Sequence, residues 1–342
     1  MRAVKLVGNE AVEVQSVPDP VLETDTDAIV RVTHTAICGA DLLPYHGYTP
    51  GFELGTTLGH EFVGVVETAG DGLGPLRPGQ RVVNTSMTSD GTCVHCRAGR
   101  PTQCTSRAMF GYSGVYPRLD GGQADFVRVP RADRSLWPVP DDVSDEDAVF
   151  VADILPTGLL AVERASVGLG DVVAVLGCGP VGLMAVLCAV GPHRVIAVDD
   201  IPARRELAQT LGAVAVQPSQ AFEAIAAATG GIGADAVIEA SGSPAAMASS
   251  LELVRPQGVI SIVGAHFEPD FPLNNALMFE KEITLTFAIG NPRRDRERLL
   301  GMIENGALRP SAVITHTMPL EEASEAYRAF DAREATKLVM TT

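Results

Sequence analysis

The chain has 342 residues, 46% hydrophobic and 20% charged, a composition that supplies a core and excludes wholesale disorder. At about 100–200 residues per domain, this length predicts two domains. A formal net charge of −16 excludes unassisted binding to nucleic acid or to an anionic membrane, and no apolar run approaches the ~20 residues that span a bilayer.

The N-terminus, Met1-Arg2-Ala3-Val4-Lys5-Leu6, lacks the apolar stretch of a secretory signal, so the cytoplasm is the expected compartment. From there to about residue 150 the text reads as β-rich. Short β-branched runs at Ala28–Val32, Phe62–Val66, Gln80–Val83 and Phe126–Val129 are separated by punctuation such as Arg77-Pro78-Gly79. Near 153 the pattern changes. Apolar strands at Val172–Leu176, Arg194–Val198, Ala236–Glu239, Val259–Val263 and Ile283–Phe287 alternate with helical segments such as Val181–Val190 and Ala203–Gly212. That alternation predicts a doubly wound parallel α/β sheet with helices on both faces. Helical segments at Asp295–Asn305 and Leu320–Phe330 and a final strand at Lys337–Met340 are expected to pack back on the first stretch. The expected domains are therefore 1–152 with 289–342, and 153–288.

Gly177-Cys178-Gly179-Pro180-Val181-Gly182 follows an apolar strand and opens an apolar helix, with Asp199 at the end of the next strand. This is the full context of a dinucleotide-binding turn. The first glycine permits the turn, the second lets backbone approach a pyrophosphate, and the third lets helix and strand pack closely. The helix N-terminus offers free N–H groups and a positive dipole end. Asp199 suits ribose hydroxyls and repels a 2′-phosphate, which favours NAD over NADP. Arg204 is expected at the same ribose, although Arg204-Arg205 would also suit a phosphate.

Two sets of metal-ligand residues stand out. Cys38, His60, Glu61 and Asp153 combine a soft thiolate, an imidazole and one or two carboxylates, a donor set that suits zinc in an open, catalytic site. Each alone also reads as a core cysteine, a turn or a helix cap. Cys93-x2-Cys96 with Cys104 supplies three thiolates, one short of a closed zinc site. Asp90 continues the spacing as a fourth ligand. His95 is the alternative, and a loop of free thiols is the metal-free one.

With these motifs the chain resembles the zinc-dependent medium-chain alcohol dehydrogenases over essentially its whole length, closest to their formaldehyde- or threonine-dehydrogenase-like bacterial branch. The resemblance rests on Ile37-Cys38-Gly39-Ala40-Asp41, Gly59-His60-Glu61, Arg77–Val83, Cys96-Arg97-Ala98-Gly99, Asp153–Gly158, the Gly177–Gly182 turn and Asp199. It implies a β-rich GroES-like catalytic domain beside a Rossmann NAD-binding domain, with the active site in the cleft between them. It implies catalytic zinc on Cys38, His60 and Asp153, with Glu61 entering or leaving the shell, and structural zinc on Asp90, Cys93, Cys96 and Cys104. It further implies Thr157 near the nicotinamide, Val181 with Gly177, Gly179 and Gly182 along the pyrophosphate turn, and Lys337 near the cofactor phosphates. The implied reaction is hydride transfer between a small alcohol, aldehyde, ketone or polyol and NAD(H), with zinc polarising the substrate oxygen, in a homodimer or homotetramer.

The chain departs from the family pattern at Ala40, where relatives carry a relay hydroxyl, and at Leu43, where they often carry a relay His. The ribose hydroxyls with ordered water, and His46, are the alternative proton routes. Ala40, Tyr48, Leu58, Phe110 and Trp137 are the pocket candidates by position, and Phe110, Tyr48 and Trp137 are equally readable as core aromatics. Polyol, cyclitol or amino-sugar oxidation is the alternative reading, and a catalytically idle NAD-binding homologue is a second.

Overall fold

The computed structural model describes residues 1–266 and 273–342. The chain forms two compact units, one of Met1–Asp153 with Asn291–Thr342 and one of Ile154–Gly290.

The first unit is built on a seven-stranded sheet in the order His316–Pro319, Leu338–Thr341, Ala28–Ile37, Glu61–Ala69, Arg81–Asn84, Leu136–Pro138, with Phe126–Val129 also paired to Ala28–Ile37. A separate hairpin joins Arg2–Gly8 to Ala11–Ser16. The strand expected at Ala28–Val32 continues to Ile37, because the run Thr33–Ile37 keeps β-branched and apolar residues. That extension carries the chain to Cys38. The C-terminal strand pairs antiparallel with it and places Leu338 opposite Ile37. The helix expected from Asp295 starts earlier, at Pro292–Glu304, because Asn291 caps it by accepting the Arg294 N–H and Pro292 suits the first turn.

The second unit is a six-stranded parallel sheet in the order Val214–Val216, Arg194–Val198, Val172–Leu176, Ala234–Glu239, Val254–Ile262, Thr284–Phe287. Every residue of Val172–Leu176 is buried, as expected of a central parallel strand covered on both faces. The strand order reverses direction between Val172–Leu176 and Ala234–Glu239. In open α/β sheets ligands bind beyond the C-terminal strand ends at such a switch point. The Gly-rich turn leaves the sheet there.

Candidate active site and zinc lobe

Strand register assembles the first site. Ala36 lies opposite Glu61 and Ile37 opposite Leu338, so Cys38, His60-Glu61 and Lys337 meet at one end of the sheet. Gly59, at φ +94°, makes the turn into this strand, and a Cβ there would lie 2.9 Å from the Gln123 backbone nitrogen. Asn84 locks the entry by donating to the His60 carbonyl at 2.8 Å and accepting the Phe62 N–H at 2.8 Å. Asp153 arrives from the end of the 3₁₀ turn Val149–Ala152. Ser86 anchors it, its N–H donating to the Ala152 carbonyl and its hydroxyl to Asp153 Oδ1, both at 3.1 Å.

One ligand-type atom from each of Cys38, His60, Glu61 and Asp153 lies within 4.8 Å of the others. Asp153 Oδ2 is 3.8 Å from Cys38 Sγ and 3.4 Å from His60 Nε2. His60 Nε2 and Glu61 Oε1 are buried without a hydrogen-bond partner among the described residues. A buried polar atom left unpaired costs about 1–3 kcal/mol. Two such atoms facing a thiol and a carboxylate fit a divalent cation of borderline softness, and zinc answers that description.

Asp41, present in the Cys38-Gly39-Ala40-Asp41 motif but assigned no role from sequence, orients this set. It is fully buried. Its Oδ2 accepts the Cys38 N–H at 3.0 Å and its Oδ1 bonds His60 Nδ1 at 3.0 Å. A carboxylate on Nδ1 keeps the proton there and turns Nε2 toward a metal. Charges follow the burial. Burial works against protonated His60, but Asp41 and Asp153 outweigh it and hold its pKa well above the ordinary value. Burial raises the Cys38 thiol, helped by Glu61. Burial also raises Glu61, opposed by Lys337 and His60. Asp153 stays below the usual carboxylate range because the bond and charge of His60 overcome its burial.

Lys337 joins this set from the C-terminal strand. Its fully buried ammonium donates to Glu61 Oε2, and to the Ile37 carbonyl at 3.2 Å. Its partner is the site carboxylate, since an unpaired buried cation would be too costly. His46 bonds Glu10 Oε1 at 3.0 Å and Asp331 Oδ1 at 2.7 Å, so both ring nitrogens are engaged away from a relay. The buried Tyr112 hydroxyl donates to the Ala40 carbonyl. Among the pocket candidates, Leu58 and Phe110 are core residues with no exposure, Phe110 packing edge-on to Phe62. Trp137 carries the Arg296 guanidinium at 3.5 Å, and Tyr48 is exposed.

The second metal set is a lobe in which ligand atoms of Asp90, Cys93, Cys96 and Cys104 also lie within 4.8 Å of one another. His95 is not in this cluster. Asp90 Oδ1 accepts the N–H groups of Thr92 and Cys93 at 2.7 and 2.9 Å, which leaves its other oxygen for a metal. Backbone N–H groups reach sulfur as well, from Asp90 and Ser106 to Cys104 Sγ at 3.3 and 3.4 Å and from Cys96 to Cys93 Sγ at 3.4 Å. Such bonds favour the thiolate. Those from Cys96 and Thr105 lower the Cys93 thiol to about 7. Burial instead pushes Cys96 up to about 11. Three thiolates and a carboxylate with satisfied N–H donors fit a closed tetrahedral zinc site.

In the second unit the Gly-rich turn has the shape that its spacing predicts. Gly177 sits at φ +94°, and a Cβ there would lie 2.9 Å from the Ser241 Cβ and backbone nitrogen. A Cβ on Gly182 would collide with the Gly177 carbonyl. Among the described residues, Arg204 Nη1 alone approaches Gly179, at 4.0 Å from the Cβ position, so the backbone there is open to a ligand. This cradle fits a pyrophosphate. Asp199 lies beside it, its Oδ2 accepting the Cys178 N–H at 2.7 Å and its Oδ1 the Ile201 N–H at 2.8 Å. Burial raises its pKa, against those two bonds. Each oxygen keeps a second lone pair for a hydroxyl. Arg205 donates to the Asp199 and Asp200 carbonyls, at 2.8 and 2.9 Å. Val181 lies in the first turn of the helix Pro180–Ala189. Thr157 lies in the helix Ile154–Ala165, where it packs so closely on Gly290 that a Cβ there would come within 2.7 Å of its backbone nitrogen.

Comparison with known proteins agrees with this geometry. Residues 24–141 match the alcohol dehydrogenase GroES-like domain and residues 180–305 the zinc-binding dehydrogenase domain. A Mycobacterium tuberculosis protein described as a probable zinc-binding alcohol dehydrogenase is 38% identical over 99% of this chain and 87% of its own. The alcohol dehydrogenase TADH from Thermus sp. ATN1 superposes with a TM-score of 0.95 at 38% identity, covering 100% of this chain and 99% of its own. A dehydrogenase structure from Sinorhizobium meliloti 1021, bound to NADP, superposes with a TM-score of 0.88 at 28% identity, covering 100% and 99%. Among the described residues no helix is long and apolar enough to cross a membrane. The chain belongs to the zinc-dependent medium-chain alcohol dehydrogenases and is a zinc-dependent oxidoreductase.

Proposed function

We propose that this chain transfers a hydride between a small alcohol or carbonyl substrate and NAD(H), using Cys38, His60 and Asp153 as ligands of a catalytic zinc and Glu61 as the adjacent carboxylate. The observation that carries the reading is the pair of unpartnered buried atoms, His60 Nε2 and Glu61 Oε1, facing Cys38 and Asp153. When bound, zinc supplies Lewis-acid polarisation of the substrate oxygen and NAD supplies the hydride acceptor. The protein's own residues do the rest. Asp41 keeps a proton on His60 Nδ1, Ser86 aims Asp153, and Lys337 neutralises Glu61. The Gly177–Gly182 turn and the helix it opens take the pyrophosphate, with Val181 and Arg204 beside it and Thr157 near the nicotinamide. Asp199 takes the ribose hydroxyls, which favours NAD over the NADP seen in the Sinorhizobium relative. With Ala40 and Leu43 in place of relay groups, the proton leaves through solvent. A second zinc on Asp90, Cys93, Cys96 and Cys104 staples the lobe. The enzyme works in the cytoplasm as a homodimer or homotetramer.

Elemental analysis of protein purified without added zinc or chelator tests this. We expect two zinc ions per subunit, one lost in Cys38→Ser and the other in Cys93→Ser/Cys96→Ser. Only the first variant should also abolish NAD-linked alcohol oxidation. Absence of zinc together with absence of turnover after reconstitution would overturn the reading. A panel of n-alkanols against polyols of similar size, ranked by kcat/KM, separates alcohol from polyol oxidation.

A further inference from the structure

Three segments leave the C-terminal edge of the parallel sheet side by side: the Gly-rich turn, residues 240–243 after Ala234–Glu239, and residues 263–266 after Val254–Ile262. Glu239, the last residue of the middle strand, is fully buried. Its Oε1 accepts the Ser241 N–H at 2.9 Å, the Ser241 hydroxyl at 2.7 Å and the Gly242 N–H at 2.9 Å. Its Oε2 is bonded to His266 Nε2 at 2.9 Å, from a ring that is itself buried. Its main-chain carbonyl takes the N–H groups of Val263 and Gly264 at 2.9 and 3.0 Å.

Glycine supplies the room for this knot. A Cβ on Gly264 would lie 2.6 Å from Glu239 Oε2, and one on Gly242 would lie 2.6 Å from the Ala265 carbonyl. Ser241, held twice by the same carboxylate oxygen, is the residue against which Gly177 packs. One buried carboxylate therefore joins the third segment to the second, and the second forms the floor of the pyrophosphate turn. A buried anion is costly unless donors surround it. Here every donor comes from the segments that border the ligand crevice of the sheet.

We propose that Glu239 and His266 are positioning residues for the nicotinamide cofactor. His266 holds the Glu239 carboxylate, the carboxylate sets the Ser241-Gly242 backbone, and that backbone fixes the height of Gly177 and thus of the N–H groups offered to the pyrophosphate. The inference rests on the cofactor reading given above.

The test is an equilibrium titration of the full-length, zinc-loaded protein with NADH, read by fluorescence, beside the melting temperature of the cofactor-free protein. His266→Ala should raise the Kd for NADH about tenfold, the part of a charge-assisted bond that reaches the turn, with zinc content unchanged and little loss of melting temperature. His266→Gln, whose amide reaches the same oxygen, should restore most of the affinity. Wild-type affinity in His266→Ala overturns the proposal. So does a loss of affinity that His266→Gln reproduces in full, or a fall in melting temperature with Kd unchanged. If His266→Ala does not fold, His266→Phe keeps the ring's bulk without the donor and is read the same way. Failure of the wild type to bind either NADH or NADPH would overturn the cofactor reading itself, and this proposal with it.

Discussion

Replacing Asp41 by Asn isolates the carboxylate that orients the catalytic ligands. The two side chains have the same shape, so packing is preserved at a fully buried position. The carboxylate serves two donors, the Cys38 N–H at 3.0 Å and His60 Nδ1 at 3.0 Å. An amide has one acceptor oxygen and one donor nitrogen, so it can serve only one of them. If its oxygen stays on the Cys38 N–H, its NH₂ group faces His60 Nδ1 and drives the imidazole proton to Nε2. That is the atom needed for zinc. Loss of an outer carboxylate of this kind costs about 10–100-fold in metal affinity, or roughly 1.4–2.7 kcal/mol. The assay is competition for zinc against a chromophoric chelator, with the lobe's zinc excluded by using the Cys93→Ser/Cys96→Ser background. Zinc held by Asp41→Asn within about threefold of the parent would refute the argument, because Asp41 would then not set the ring's tautomer.

Ser86→Ala removes the hydroxyl on Asp153 Oδ1 and should weaken the same zinc several-fold, less than Asp41→Asn, because the Ser86 N–H still holds the adjoining Ala152 carbonyl and so the backbone of Asp153. An effect equal to that of Asp41→Asn would contradict this ranking. Asp199→Ala should weaken NAD and narrow the NAD/NADP preference, read as the ratio of kcat/KM values. The ratio matters, because loss of the Cys178 and Ile201 bonds will lower affinity for both cofactors. An unchanged ratio would remove Asp199 from the ribose. His46 has a raised pKa because its bonds to Asp331 and Glu10 outweigh its burial, so its stabilising contribution is full below its unfolded value of about 6.5 and is lost as pH rises through the folded value. His46→Gln should therefore lower the melting temperature more at about pH 5.5 than at about pH 9, and a pH-independent difference would contradict that sign.

Much of this was legible because local geometry dictates it. Only glycine fits Gly177 at φ +94° and the contact between Gly182 and the Gly177 carbonyl, so the turn is written in three letters. Cys93, Cys96 and Cys104 converge within one short loop for the same reason, since nearby residues need no long-range register. Asp41 was within reach: a side chain three residues on that returns to the Cys38 N–H is the geometry of a capping box. Ser86 carries no motif. Its role comes from the Ser86-to-Ala152 backbone bond, which joins segments 66 residues apart only once the unit has folded. The pairing of Lys337 with Glu61 was not legible, because the register of Leu338 with Ile37 delivers it to a carboxylate 276 residues away in sequence. Leu58 and Phe110 are fully buried, a choice that sequence left open because apolar residues near a catalytic motif line a core and a pocket equally well.

The burial of Lys337 makes sense once charge is followed through the site. Cys38 and Asp153 as anions, with neutral His60, match a divalent ion without remainder. Glu61 adds a negative charge that the ion does not need, at a fully buried position. Lys337 cancels it at Oε2 and leaves Oε1 without a hydrogen-bond partner among the described residues. The carboxylate is thereby kept ionised and close, yet not required for neutrality, which is the condition for a group that can enter or leave a coordination shell at small cost. Neutral Glu61 without Lys337 would be a poorer donor, and ionised Glu61 without Lys337 would bind the metal too well and close the open position that a substrate oxygen needs. The zinc lobe shows the opposite arrangement. Its four donors, if all were anionic, would exceed the charge of one divalent ion; the backbone N–H groups of Asp90, Thr92, Cys93, Cys96 and Ser106 would offset part of the excess as hydrogen bonds. A carboxylate tied down by two backbone N–H groups, as Asp90 is, suits a staple, whereas a carboxylate balanced by one buried lysine, as Glu61 is, suits turnover.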